Sequence, residues 1–434
     1  MAAHNGDFPA RVPFRRLTMS GAAWAGLALL VVIGIVAAVL GFGGAEGTER
    51  TWLAIHYNWL FWSSVATGMV VFAISQQLTN SRWSWPIRRL ALAGLAFLPV
   101  SFVIFLLKLP GNPVWFEHWW EPEKVRTDPI LAAKAAWLSP TGMTVRDILA
   151  LLVLYGMMGW FGYHMLRPDL HGAKGPGIYR TFTGGTWRGL GEEALRSRRI
   201  SLRIGVVTTL LFALLWGMIA IDQAMTMLPH WFSTMFPVTF LVSAFHSGLA
   251  MTAVMMVLLR RHLRLEEYIT PAQYHDLGKL IFAYSVFWMY VNWSQYVVIW
   301  YGLLPHEQEF FVLRFHRQFA VLTELAVACI FVFPFLALLP RAPKKAGGVL
   351  AGVSLVIVIG HWLERYLITV PSVWQGAHAP FGITEIGVTL GFAGLFLASY
   401  AWFLATFPVL PSPASLAAIP TPTITIPAGA VPQS

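Results

Sequence analysis

The stretch AIDQAMTMLPHWFSTMFP, residues 220–237, lies between two apolar runs that are each long enough to cross a bilayer. It holds an acid (Asp222), a Pro229–His230 pair and three aromatic rings, but no lysine or arginine. The chain as a whole carries a formal net charge of +10. A cation-free turn in such a basic protein reports which way the turn faces, because cationic loops are retained on the cytoplasmic side of a membrane.

Outward from this turn, the 434 residues are 57% hydrophobic and only 12% charged, with a mean hydropathy of +0.62. A soluble domain cannot hide that much apolar surface, whereas a chain that crosses the bilayer repeatedly has no need to. The 20 tryptophans fit the same reading, since indole favours the water–lipid boundary. The single cysteine, Cys329, excludes a disulfide framework within the chain, a cysteine-ligated iron–sulfur cluster and a CxxCH haem attachment. A pI near 9.9 could point to nucleic acid, but the arginines are dispersed over short loops between apolar runs, as membrane orientation requires. The N-terminal segment RVPFRRLTMSGAAWAGLALLVVIGIVAAVLGFGG has the basic lead of a signal peptide. Its apolar run is longer than a signal core, so it reads as a retained first span.

Windows of spanning length fall at about 19–42, 54–75, 88–107, 146–166, 202–221, 232–259, 277–301, 317–339, 347–368 and 384–407. They predict an all-α polytopic membrane protein of ten transmembrane helices, because a helix satisfies its own backbone in lipid and an open strand does not. The alternating segments of a β-barrel are absent. Twenty of the 30 lysines and arginines fall in the N-terminal tail and the 2–3, 4–5, 6–7 and 8–9 loops, all on one side of a ten-span chain. Both termini are therefore expected in the cytoplasm, with the 220–237 turn outside. The chain divides into a cytoplasmic tail (1–18), a first membrane half (19–201), a second membrane half (202–407) and a Pro-rich arm (408–434). The first half includes an outer loop at 108–145 and a basic loop at 167–201.

The outer loop is too long for a simple turn, and its Trp115, Trp119 and Trp120 suggest an ordered lid over the outer face. An interfacial tryptophan anchor fits the same residues. The arm is rich in Pro and small residues and reads as an extended segment, ordered only when another subunit holds it.

An ionisable side chain at bilayer depth costs on the order of 2.5–3.5 kcal/mol on insertion scales, so each one is a functional candidate. The second half of the chain concentrates them: Asp222, His246, Asp276, Lys279, Glu324, His361, Glu364 and Glu385, with Tyr284 on helix 7. Placed at successive depths, they form candidates for a proton path, since transfer needs near-contact or a bridging water. His246 and Glu324 lie nearest mid-depth and cannot reach an interface by snorkelling. Structural readings stand beside this one: a local Asp276–Lys279 pair, a Glu364–Arg365 pair, and a histidine that only packs. His246 and His361 are expected at different depths, which argues against their sharing a haem. No metal ligands are expected. A secondary transporter would show helices broken by Gly or Pro near mid-depth in corresponding halves, and helices 7 and 9 show no such break.

Three segments carry a resemblance: DQAMTMLPHWFSTMFPVTFLVSAFHSGLA, YHDLGKLIFAYSVFWMYVNWSQYVVIWYGLLP and EIGVTLGFAGLF. They resemble the ActF-type integral membrane subunit of bacterial alternative complex III, a quinol:electron-acceptor oxidoreductase. That subunit belongs to the NrfD-like superfamily of polysulfide-reductase membrane subunits. The earlier HYNWLFWSSVATGMVVFAISQQLTNSRWSWPIRR is similar to the second-helix segment shared with the quinol-binding paralogue. The likeness covers roughly residues 50–400 and is looser before residue 200. Where the family pattern has a Ser-Leu-Asp run ahead of HWFSTMF, this chain reads Thr226, Met227, Leu228 and Pro229, keeping only Asp222.

The resemblance implies two four-helix bundles, helices 2–5 and 6–9, flanked by two peripheral helices. It implies partners: the paralogous quinol-binding membrane subunit, an iron–sulfur subunit and c-type cytochrome subunits. Menaquinol or ubiquinol, c-type haem and iron–sulfur clusters would then belong to the complex and not to this chain, which would support assembly and conduct protons. His230, Trp231, Trp119 and Trp120 become candidates for contact with an outer subunit. An alternative is a quinol-binding anchor of a polysulfide-reductase-like enzyme, with His56 at the headgroup. An independent secondary transporter is the third reading.

Overall fold

The computed structural model describes residues 8–43, 47–171, 173, 175–184, 187–315, 317–374 and 376–420. The last residues of the arm, 421–434, lie outside the described residues. Among the described residues the structure is all-helical, without strands, and nine helices are long and apolar enough to cross a membrane. In chain order they are α1 (Gly21–Gly41), α2 (Gly47–Leu78), α3 (Arg88–Trp115), α4 (Pro140–Leu170), α5 (Leu190–Met227) and α6 (Phe236–Leu259). After α7 (Pro271–Gly302) follow α8 (Ala320–Leu338), α9 (Gly347–Val373) and α10 (Ile383–Thr406). The chain is thus a multi-pass membrane protein. α7 is not among the nine: its 32 residues are ample, but Tyr284, Asn292, Gln295 and their polar neighbours make it less apolar than the rest.

The helix starts follow from local chemistry. Ser139 caps α4 by accepting from the Gly142 N–H at 3.3 Å, with Pro140 in the first turn, where its missing N–H removes no helix bond. Thr270 and Gln273 cap α7 reciprocally, and Pro271 again occupies the first turn. α3 tightens to a 3-10 turn at Ala93–Phe97, while α5 and α8 widen into π-turns at Phe212–Trp216 and Ala328–Val332.

α2 is the central helix, buried almost continuously from Asn58 to Ile74 and packed on α3, α5, α6, α9 and α10. It meets α6 where Gly68 faces Ala244 and Gly248. A Cβ on either glycine would overlap the opposite backbone, so hydrogen alone allows the two helices to touch. α6 in turn packs on α7 and α9, and α4 lies along α5. α1 rests on α10 through Gly34 against Gly391 and turns Leu29, Val32, Ile35 and Val39 outward, as a lipid-facing helix does.

The loop between α3 and α4 is ordered by its own core. Phe116, Trp119, Val125, Leu131 and Leu138 close over Leu53, Trp115 and Met227. The Trp119 indole N–H donates to Thr226 O at 2.8 Å, tying the loop to the 220–237 turn. The start of the Pro-rich arm departs from expectation. Residues 408–420 are held by this chain itself: the Ser412 N–H and Ser415 hydroxyl donate to Asp169 Oδ1 at 3.0 and 2.6 Å, and Leu416 is buried.

Candidate proton-handling site

α6, α7 and α9 bring a row of polar side chains together in the apolar interior. Ser285 Oγ lies 3.2 Å from His246 Nε2, and His246 Nδ1 lies 3.0 Å from His361 Nε2. His361 Nδ1 lies 2.8 Å from Glu364 Oε2. The other carboxylate oxygen, Oε1, accepts from the Trp288 indole N–H at 2.8 Å and the Ser243 hydroxyl at 2.7 Å. Arg365 stands behind it, Nη1 3.9 Å from Oε2, with its guanidinium over the Phe240 ring. His246 and His361 are virtually inaccessible, and Glu364 is 7% exposed.

The donors can be assigned by elimination. With Glu364 ionised and both imidazoles neutral, both oxygens accept, so His361 carries its hydrogen on Nδ1 and accepts at Nε2. His246 must then donate from Nδ1 and accept at Nε2 from Ser285. Every hydrogen bond points from Ser285 toward Glu364. When one proton enters at Ser285 and each hydrogen crosses to its acceptor, Glu364 becomes protonated and every bond reverses. The row therefore has two self-consistent states that differ by one proton, both without an unpaired imidazole nitrogen.

At the Glu364 end a cavity of about 370 Å³ opens between α7, α8, α9 and the short helix Pro305–Phe315. Aromatic walls (Trp288, Tyr296, Phe310, Phe311) surround Glu364, Asn292, Gln295 and Thr239. The Gln295 Nε2 donor has no hydrogen-bond partner among the described residues. This is the composition of a small-molecule site, mostly apolar with a few converging polar groups.

The other candidates lie elsewhere. Glu324 is exposed on the outer surface of α8, away from the row. Asp276 pairs with Lys279 at 2.8 Å near the start of α7, and Tyr284 packs half-buried against Phe245. Glu385 receives a bidentate pair from Arg50, both contacts 2.9 Å. Asp222 receives the same fork from Arg146, at 2.7 and 2.8 Å. The expected difference in depth between His246 and His361 is corrected: their rings hydrogen-bond directly, so those facing nitrogens are not open to an iron.

A second polar group lies under the loop. His56 Nε2 donates to Gln223 O at 2.8 Å, which leaves Nδ1 to accept from Lys108 Nζ at 3.2 Å. Lys108 also donates to Gln223 Oε1 at 2.7 Å, and the Gln223 amide donates to Asp147 Oδ2 at 2.7 Å. Trp115 stacks on the His56 ring. Sequence reasoning missed Lys108, Asp147 and Gln223, which fall at or beyond the margins of apolar windows where a charge reads as interfacial. Ser243, Ser285 and Trp288 pass as ordinary residues of membrane helices.

In the loop between α3 and α4 and the 220–237 turn, His230 Nε2 is 2.6 Å from Asp128 Oδ2, and Trp120 is half-buried. Trp231 and Trp119 are both 1% exposed, the former stacked on Phe310, so their rings pack within this chain. The Asp128 carboxyl lies outside the spans. Its hydrogen bond from His230 holds it below the usual carboxylate range, aided by the Leu131 and Ile130 N–H groups. The chain matches no known family model, and no curated protein matches it.

Proposed function

We propose that this chain is the proton-conducting, ActF-type membrane subunit of a quinol-oxidising complex of the alternative complex III type in a bacterial cytoplasmic membrane. In this reading α7 is the tenth span, helices α2–α5 and α6–α9 form two bundles, and both termini are cytoplasmic. Partner subunits, an iron–sulfur protein, c-type cytochromes and a quinol-binding paralogue, oxidise quinol and carry its two electrons to the acceptor. The observation that carries the reading is the buried row Ser285–His246–His361–Glu364, hydrogen-bonded in one sense and ending at a cavity. Ionisable groups this deep are costly unless paired, and a row that reverses with one proton is a use for them.

The test is the assembled complex in sealed vesicles, with quinol turnover and proton appearance followed together. Glu364→Gln, which can neither take up nor yield a proton, is expected to slow proton appearance at least about tenfold. Unchanged turnover and unchanged proton appearance would reject conduction through the row. Isolation of the chain from native membranes without any haem or iron–sulfur partner would reject the complex and favour a transporter.

The cavity supports a second reading, in which this chain binds quinol itself. Its aromatic walls suit a quinone ring, and Glu364 could accept one hydroxyl proton. His56 is less suited, with both nitrogens engaged and Trp115 over the ring. Thr239→Trp, which fills the cavity, should abolish quinol oxidation on this reading and leave it intact if the paralogue holds the site.

A further inference from the structure

At the end of the molecule where α2 runs out and α3 begins, three arginines converge in the interior. Arg88 and Arg89 on α3 and Arg198 on α5 are 4%, 1% and 8% exposed, and all three line one cavity of about 50 Å³. They lie close enough to repel one another. Removing a guanidinium from water is costly unless a counter-charge accompanies it.

The counter-charge is short. Arg89 pairs with Asp169, whose remaining oxygen is occupied by Ser412 and Ser415. The neighbouring acid Glu193 is held by Arg167 at 2.6 Å. Among the described residues Arg88 reaches only neutral groups: Ser84 Oγ at 3.2 Å, Gln77 Oε1 at 2.8 Å and Ser81 O. Arg198 reaches Asn80 Oδ1. Three guanidiniums thus face one carboxylate. Moreover, the Nε and Nη1 donors of Arg89 and the buried Ser197 hydroxyl have no hydrogen-bond partner among the described residues, and both residues line the cavity. A small chamber with excess positive charge and unfilled donors is complementary to a tetrahedral oxyanion, which offers several acceptor oxygens at once.

We propose that this cavity binds a phosphate group, supplied as the headgroup phosphodiester of an anionic membrane lipid. The apolar part of its lining, Trp85, Met165, Leu416 and Ile419, suits the glycerol and first methylenes of such a lipid. The site also lies at the ends of spanning helices, where basic pockets meet headgroups. Bound there, the lipid would join α3, α4, α5 and the 408–420 segment through one shared anion. Free inorganic phosphate has the same recognition chemistry and is the competing source.

The test uses the full-length protein, delipidated in detergent, with native mass spectrometry and thermal unfolding as readouts. Phosphatidylglycerol, phosphatidylcholine and inorganic phosphate are added separately. Retention of phosphatidylglycerol over phosphatidylcholine by the wild type and by Arg198→Lys is expected, with at least about tenfold weaker retention in Arg198→Gln. Ser197→Met keeps every charge, fills the chamber and should lose the ligand equally, which guards against a misfolded charge variant. Stabilisation by inorganic phosphate without lipid retention would assign the same site to the free ion. No preference for any of these anions, or equal retention by Ser197→Met, overturns the proposal.

Discussion

His361 Nε2 faces His246 Nδ1 at 3.0 Å with the two rings nearly perpendicular, 88° apart. The contact joins α9 to α6, and it makes the state of Glu364 visible at Ser285 on α7 with no charged group between them. A hydrogen bond between two imidazoles requires one to donate and the other to accept, so the tautomers of the pair are set together.

Replacement of His246 by Phe breaks the row in the middle. In assembled complex, proton appearance is expected to fall about tenfold or more, as with Glu364→Gln. Glu324→Gln, on the exposed face of α8, should leave it unchanged and alter stability by less than about 0.5 kcal/mol. Paired vesicle assays check the contrast. Equal loss in both variants would show that the row is not the path.

Asp222 is fully buried and held by the Arg146 fork. Asn keeps one acceptor and the Arg146 left behind is partly exposed, so Asp222→Asn should destabilise the protein by about 1–3 kcal/mol. Thermal unfolding in detergent measures this. Asp222→Asn protein that unfolds at the wild-type temperature would remove the structural role.

The contact between Gly68 and Gly248 admits no side chain. Gly248→Val must separate α2 from α6, and overpacking of this kind costs about 1–3 kcal/mol. The expected outcome is a lower unfolding temperature, read in detergent, with Gly156→Val as control because nothing lies within 4 Å of a Cβ there.

The pH dependence of the loop between α3 and α4 follows from Asp128. A carboxyl whose pKa falls on folding stabilises the fold above its unfolded value, about 3.9, and that contribution fades as the pH drops through the lower folded value. Local opening of residues 116–138, read as amide exchange corrected for its intrinsic pH dependence, should therefore be constant from neutral pH down to that range and accelerate below it. His230→Ala should move the acceleration to higher pH, toward the unfolded value.

The spans were legible because length and apolarity alone define them: nine of the ten windows coincide with helices that meet both criteria. α7 was legible as a helix and less so as a span, since the polar groups that give it chemistry also dilute its apolarity. The candidate site was legible in part. His246, His361 and Glu364 stand out as ionisable residues in apolar runs, but their contact depends on helix rotation and crossing, which the sequence does not encode at residue resolution. Ser285, Ser243 and Trp288 carry no warning at all, because a serine or tryptophan is ordinary in a membrane helix. Glu324 shows the converse error: depth estimated along a helix says nothing about which side of the helix a residue occupies.

The reversing hydrogen bonds between Ser285 and Glu364 bear on how a bilayer keeps its electrical insulation. Once a charge has hopped along such a file, both rings must swing around before a second can follow in the same direction. The His361 ring is packed edge-on against Trp288 and both rings are buried, so those swings are hindered. If the row conducts as proposed, a file of this build passes single charges on demand and resists continuous leakage, which would preserve the voltage that the surrounding membrane stores.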